Sequence, residues 1–312
     1  MSVQTKSLKN NLILKIVNIF NDNNDKLILH ERSHEVLKKL SVVDFVYEII
    51  ESNLLDKNFL KREWSIFDIP SLKIFENEKF DLKYNIFLPN KCHSTNNAGY
   101  MIHSHLSSVL SSYVFYGHGY HSIIFDRDVK YFNDNYAQLK IKRDFFHSKG
   151  DINIIDSYEP HLVFNVSEPT YTLVLWSDDK EDPNVSKSFF DKLINKKSSN
   201  TKTKLLRNFY VNENRIKSIT DNDFMLFMNK VHNNSLIKNN YHVHAICYFI
   251  QSIGYTNFSF LEKICSDSNT PLIWKKWLDK LINKKSINYP VFKNESNFLN
   301  GSFTYDDIIS IC

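Results

Sequence analysis

GYMIHSHLSSVLSSYVFYGHGYHSIIFD, residues 99–126, and EPHLVFNVSEPTYTLVLWS, residues 159–177, are built from short β-branched and aromatic runs separated by Gly, Pro, Asp and Ser. This composition predicts strands at Val109–Gly117, Tyr120–Asp126, His161–Val166 and Tyr171–Ser177. In a strand, residues i and i+2 project from one face, so His103 and His105 are expected to point together. His161, on a neighbouring strand, supplies a third imidazole. Three nitrogen donors with open positions suit Fe, Cu, Zn or Ni. The chain holds only 6 glycines, and Gly99, Gly117, Gly119 and Gly150 bracket these strands. Glycine makes turns of positive φ at no steric cost, so residues 99–177 read as tightly connected antiparallel β.

His-x-His pairs are not informative by themselves in a chain with 12 histidines. His242 and His244 form a second pair, in YHVHAICYFI, but the pattern there is helical. On a helix i and i+2 diverge by about 200°, so this pair is expected to hold nothing between its rings. His118 and His121 lie at the turn and the start of the strand that follow the first motif. Each is a candidate additional ligand or a group supporting the ligands, as is Asn165. Tyr113, Phe115, Tyr116, Phe164 and Trp176 are expected to alternate between the interior and the exterior of the β structure.

With Gly99, His103, His105 and Gly117 in the first stretch, and Gly150, Pro160, His161 and Asn165 around the second, the sequence resembles the cupin superfamily. The match covers roughly a third of the chain. A glutamate usual in the first cupin motif is replaced here by Ser108 or Val109. The pattern is therefore similar to the three-histidine cupins allied to the cysteine dioxygenases. The resemblance implies a central antiparallel double-stranded β-helix barrel, and a metal held by His103, His105 and His161. It implies Fe(II) first, with Zn, Mn, Ni or Cu as alternatives. The Ser, His and Tyr alternation and the bridging cysteine of thiol dioxygenases do not occur in this sequence. The resemblance thus speaks for the scaffold and the metal more than for a thiol substrate.

At 312 residues the chain exceeds one such barrel, so further elements flank it. We expect an N-terminal helical segment over 1–66, the barrel over 67–178 and a C-terminal helical region over 185–312. The fold class is mainly β with helical flanks. In the first segment an apolar stripe runs from Leu12 to Phe20, a second helix from about Ser33 to Leu40, and a third from Val43 to Leu55. Period-two alternation begins at Leu72 and Ile74, with Phe75 out of phase. It is clear from Phe80 through Leu82 and Tyr84 to Ile86. Asp178–Asn184 reads as a linker. Helices are expected at Lys187–Ile194, Asn222–Val231, His242–Ser252, Phe258–Cys265 and Pro271–Asn283. FFDKLINKKSSN, from Phe189, and WLDKLINKKSIN, from Trp277, echo each other without similarity on either side.

A hydrophobic content of 42% supports a packed core. A net charge of +4 and the absence of a basic stripe with regularly interleaved aromatics argue against a nucleic-acid partner. There is no signal-peptide order at the start and no apolar run of membrane-spanning length, so a cytoplasmic protein with no membrane partner is expected. Cys92, Cys247, Cys265 and Cys312 share no metal-binding spacing and read as reduced thiols. The functions left open are a mononuclear non-haem iron oxygenase acting on a small molecule, a non-redox metal-dependent isomerase or hydrolase, and a non-catalytic module binding a small ligand or a partner. A homodimer is expected from the resemblance alone.

Overall fold

A computed structural model describes residues 3–22, 24–64, 69–89, 95–96, 102, 105, 108–128, 130–131, 137–177, 209–212, 215–218 and 235–290. Four helices come first: α1 (Val3–Phe20), α2 (Lys26–Leu40), α3 (Val43–Leu55) and the single turn α4 (Lys57–Leu60). α2 starts earlier than its apolar spacing suggests, because the Asp25 carboxylate accepts the Leu27 N–H and caps it. Ten strands follow: β1 (Ser71–Glu76), β2 (Phe80–Phe87), β3 (Val109–Tyr116), β4 (Gly119–Phe125), β5 (Lys130–Tyr131), β6 (Ala137–Gln138), β7 (Ile141–Ser148), β8 (Ile152–Ile155), β9 (His161–Val163) and β10 (Thr170–Ser177). A hairpin of β11 (Phe209–Asn212) and β12 (Arg215–Ser218) precedes α5 (Ser235–Ser252), α6 (Phe258–Ser266) and α7 (Leu272–Ile282). The expected C-terminal helical region thus also contains a hairpin. The helices expected at Lys187–Ile194 and Asn222–Val231, the linker after Asp178, Gly99 and the first copy of the twelve-residue echo lie outside the described residues.

Two sheets face each other. The larger runs β1-β2-β10-β3-β8 and the smaller β7-β4-β9. The hairpins β3/β4, β7/β8 and β9/β10 each leave one sheet and return in the other, and each strand pairs antiparallel with strands of other hairpins. This winding is that of a double-stranded β-helix. No ladder joins the two sheets among the described residues, so the expected closed barrel is two facing sheets. The turn between β3 and β4 needs glycine. Gly119 has φ +104°, and a Cβ there would stand 2.1 Å from the His147 carbonyl oxygen.

The larger sheet separates its faces by the alternation of side chains along its strands. Leu72, Phe80, Leu82, Tyr84, Ile86, Tyr171, Leu173 and Leu175 point away from the smaller sheet and enter one core with Ile16, Leu37, Ile49, Ile246, Phe249 and Trp274. Helices from both ends of the chain thus cover one sheet face. Specific polar bonds fix their seating. Tyr84 donates its hydroxyl to the Leu40 carbonyl (2.6 Å), and Trp274 Nε1 donates to the Leu60 carbonyl (3.0 Å). The out-of-phase Phe75 is a β-bulge between Lys73 and Phe75. There Asn53 of α3 accepts the Lys73 N–H (3.0 Å) and donates to the Lys73 carbonyl (2.7 Å), occupying backbone groups of an edge strand.

His30 of α2 is fully buried against the same face. The Ser177 hydroxyl donates to the Val109 carbonyl (3.3 Å), so it accepts from His30 Nε2 at 3.0 Å. The Ser111 hydroxyl then donates to Nδ1 at 2.8 Å. Burial, helped by His34 and Lys26, pushes the His30 pKa down to about 3. The unfolded chain therefore takes up a proton that the folded chain refuses. Stability is full above about pH 6.5 and declines toward pH 3, by about 1.4 kcal/mol per pH unit from this group. Urea-unfolding free energies between pH 7 and pH 5 are expected to fall less steeply in His30→Gln, which keeps hydrogen-bonding capacity without titrating; equal slopes would contradict this.

Candidate metal centre and ligand face

The faces of the two sheets that look at each other carry the candidate site. On β2 and β10 the inward rows are in register, with Asp81 opposite Trp176, Lys83 opposite Val174 and Asn85 opposite Thr172. On the smaller sheet Ser122 is opposite Val163 and Ile124 opposite His161. Leu110, Ile124, Ile155 and Val174 pack together between the sheets with Phe145 and Trp176. Phe87, Val114, Tyr120 and Val166 form a second apolar cluster nearer the Gly117–Gly119 turn.

His161 starts β9 and is buried. Its Nδ1 lies 3.3 Å from the Glu159 carbonyl, which can only accept. In the neutral ring Nδ1 therefore carries the proton and Nε2 is the acceptor nitrogen, a tautomer in which imidazole can bind a metal. Glu159 is itself buried, pairs with the Lys142 ammonium and accepts the Asp156 N–H (2.9 Å), which holds this bend in place.

His105 is brought to the same place. Its ring centroid lies 4.4 Å from that of His161, edge-on at 68°, and 4.2 Å from that of Trp176. The Lys83 ammonium stands 5.3 Å from the same indole. Trp176, on the inward face of β10, is thus a surface on which His105 rests. His105 lies in no strand; its carbonyl accepts the Ser108 N–H (3.2 Å) just before β3. The residue nevertheless reaches the expected neighbour, His161. His103 lies outside the described residues. Among the described residues no group of three His, Cys, Asp or Glu side chains is close enough to hold a metal ion. The two nitrogen-bearing rings and the fixed tautomer of His161 suit part of a metal's donor set.

The additional candidates are placed elsewhere. The register of β4 against β9 puts His121 on the opposite face from His161, where it bonds Asp144 and stacks on Phe164 with ring centroids 5.0 Å apart. That alternation excludes His121 and His161 as ligands of one ion. His118 is exposed at the glycine turn, its ring 5.1 Å from that of Phe146. Asn165 is half-buried, two residues beyond the end of β9. His242 and His244 diverge on α5 as expected, His242 stacking on Trp64 and His244 on Trp277.

Sequence reasoning missed His147. It is buried on the inward face of β7, where Nε2 donates to the Asp151 carbonyl (3.1 Å) and Nδ1 accepts from the Tyr120 hydroxyl (3.1 Å). The Ser112 hydroxyl in turn stands 3.5 Å from that of Tyr120. Burial lowers the His147 pKa and pushes Tyr120 up to about 12, so the chain stays neutral. No motif marks His147; its only sequence signal is its place on the inward parity of IKRDFFHS.

No protein-family model matches the sequence, and no curated protein matches it. Solved structures similar to part of the chain include TT1209 from Thermus thermophilus, with 18% identity over 39% of this chain and 93% of that one at a TM-score of 0.24. The cupin domain of Schizosaccharomyces pombe Cnp3 matches with 11% identity over 37% and 69% at 0.26. KdgF from Halomonas sp. matches with 11% identity over 39% and 94% at 0.25. TM-scores of this size carry no argument, and the fold stands on the strand pairing described above. No helix among the described residues is long and apolar enough to cross a membrane.

Tyr120→Phe removes the donor to a buried imidazole nitrogen and is expected to cost about 1–3 kcal/mol. Urea midpoints measure it; a change under about 0.5 kcal/mol, the scale of a neutral surface substitution, would mean that the Tyr120–His147 bond contributes nothing.

Proposed function

We propose that this chain is a cupin-type metal protein acting on a small molecule. In this reading His103, His105 and His161 hold one metal ion, Fe(II) before Zn, Mn, Ni or Cu. The observation that carries the reading is the meeting of His105 and His161, from separate parts of the chain, with the His161 tautomer set by the Glu159 carbonyl. Inclusion of His103 rests on its sequence position two residues before His105. Bound iron would supply redox chemistry with dioxygen, and an oxygenase is the reaction class we favour.

The protein's own residues would orient and shield. Glu159 holds His161 from behind, Trp176 backs His105, and Leu110, Ile124 and Val174 keep the adjoining interior apolar. Residues that support a ligand in this way typically change metal affinity about 10–100-fold when removed. Asp81, Lys83 and Asn85 are polar groups on the inward face of β2 beside this place, where a substrate would meet them.

The test is elemental analysis of protein prepared anaerobically and loaded with Fe(II). Wild type is expected to retain close to one iron per chain. His103→Ala and His161→Ala are expected to lose it, and Trp176→Ala to bind about tenfold more weakly. Oxygen uptake with small acids, thiols and alcohols then tests the reaction class. Iron retained equally by His161→Ala, or absent from wild type after loading, overturns the metal reading and leaves a non-catalytic binding module.

A further inference from the structure

Between the sheets, two polar atoms on adjacent strands have no hydrogen-bond partner among the described residues. Asn85 of β2 and Thr172 of β10 are direct cross-strand partners on the inward face. Thr172 is 0% exposed and Asn85 6%. Among the described residues, Asn85 Oδ1 and Thr172 Oγ1 have no hydrogen-bond partner. A protein interior rarely leaves an acceptor in this state, because the group loses its water on burial and gains nothing in return. The neighbouring positions show that an apolar solution is available, since Val114 and Val174 occupy the same face on either side of Thr172. The two unmatched groups are also adjacent: cross-strand Cβ atoms stand about 5 Å apart, a spacing that two neighbouring hydroxyls of one small molecule can bridge.

We propose that Asn85 and Thr172 form a subsite for a small ligand bearing two adjacent hydroxyls, one donating to Asn85 Oδ1 and the other exchanging hydrogen bonds with Thr172 Oγ1. The inference deepens the proposed function, on which it rests for the existence of a small-molecule ligand, and names the chemical class of that ligand. Lys83, one inward step along β2, and Trp176, two inward steps along β10, connect the subsite to the His105 and His161 rings. Asp81 and Lys83 carry opposite charges on this row, so the face selects hydroxyls rather than a strongly charged group.

The experiment uses the full chain in metal-free form and cis-1,2-cyclohexanediol as the probe, with trans-1,4-cyclohexanediol as the control. Saturation-transfer difference NMR gives the affinity and thermal unfolding gives the stability. Wild type and Thr172→Ser are expected to bind the 1,2-diol in preference to the 1,4-diol. Thr172→Val and Asn85→Leu are expected to bind it at least about tenfold more weakly. Thr172→Val should melt no lower than wild type, because no protein hydrogen bond is lost. Absence of transfer in wild type, equal transfer from both diols, or transfer unchanged in Thr172→Val and Asn85→Leu overturns the subsite. Metal content distinguishes the two proposals. His161→Ala should still bind the diol, so a loss of iron with diol binding intact separates them, and iron retained in that variant sinks the metal centre while leaving the subsite standing.

Discussion

The alternation of side chains along β2 and β10 is the constraint on which the rest of the structure depends. Tyr171, Leu173 and Leu175 go outward with Leu82, Tyr84 and Ile86, while Thr172, Val174 and Trp176 go inward with Asp81, Lys83 and Asn85. A one-residue slip would exchange these sets, putting Lys83 and Asp81 under the helices and the leucines between the sheets. The outward row is what helices from both chain ends bury, so the flanks hold the register by which the inward row meets the histidines. His30 adds a polar lock to this seating through Ser111 and Ser177, residues whose inward neighbours Leu110, Ser112 and Trp176 line the interior.

Much of this was legible because strands and helices write different periods. Three of the four strands read from residues 109–177 form nearly as expected and the fourth, expected to Val166, ends at Val163; α3 has the predicted bounds, and the break in phase at Phe75 is the bulge where Asn53 docks. The helical reading of His242 and His244 also holds, their rings stacking on different tryptophans. Short-range period had less to say where tertiary contacts decide. His105 lies outside any strand, and its ring meets those of both His161 and Trp176. His121 was ambiguous until its register against β9 was known, since one residue decides the face.

Residues without a motif were invisible. His30, His147, Asn85 and Thr172 stand in ordinary helix or strand patterns, and their meaning lies in what faces them across the fold. His30 and His147 have both ring nitrogens bonded and are held neutral by burial, so they read as structural. Asn85 and Thr172 differ in having acceptors with no partner among the described residues, the state from which the ligand subsite is inferred. The β11/β12 hairpin was missed for a simpler reason: FYVN and RIKS are four-residue strands, too short for a periodic signal.

The central claim is that His105 and His161 are drawn together as ligands of one metal ion. X-ray absorption spectroscopy of the Fe(II)-loaded chain, kept anaerobic, measures this directly, because imidazole rings give characteristic multiple scattering. The account predicts three imidazoles around iron in the wild type and one fewer in His105→Ala. Coordination by oxygen alone, or a spectrum unchanged by His105→Ala, would contradict it.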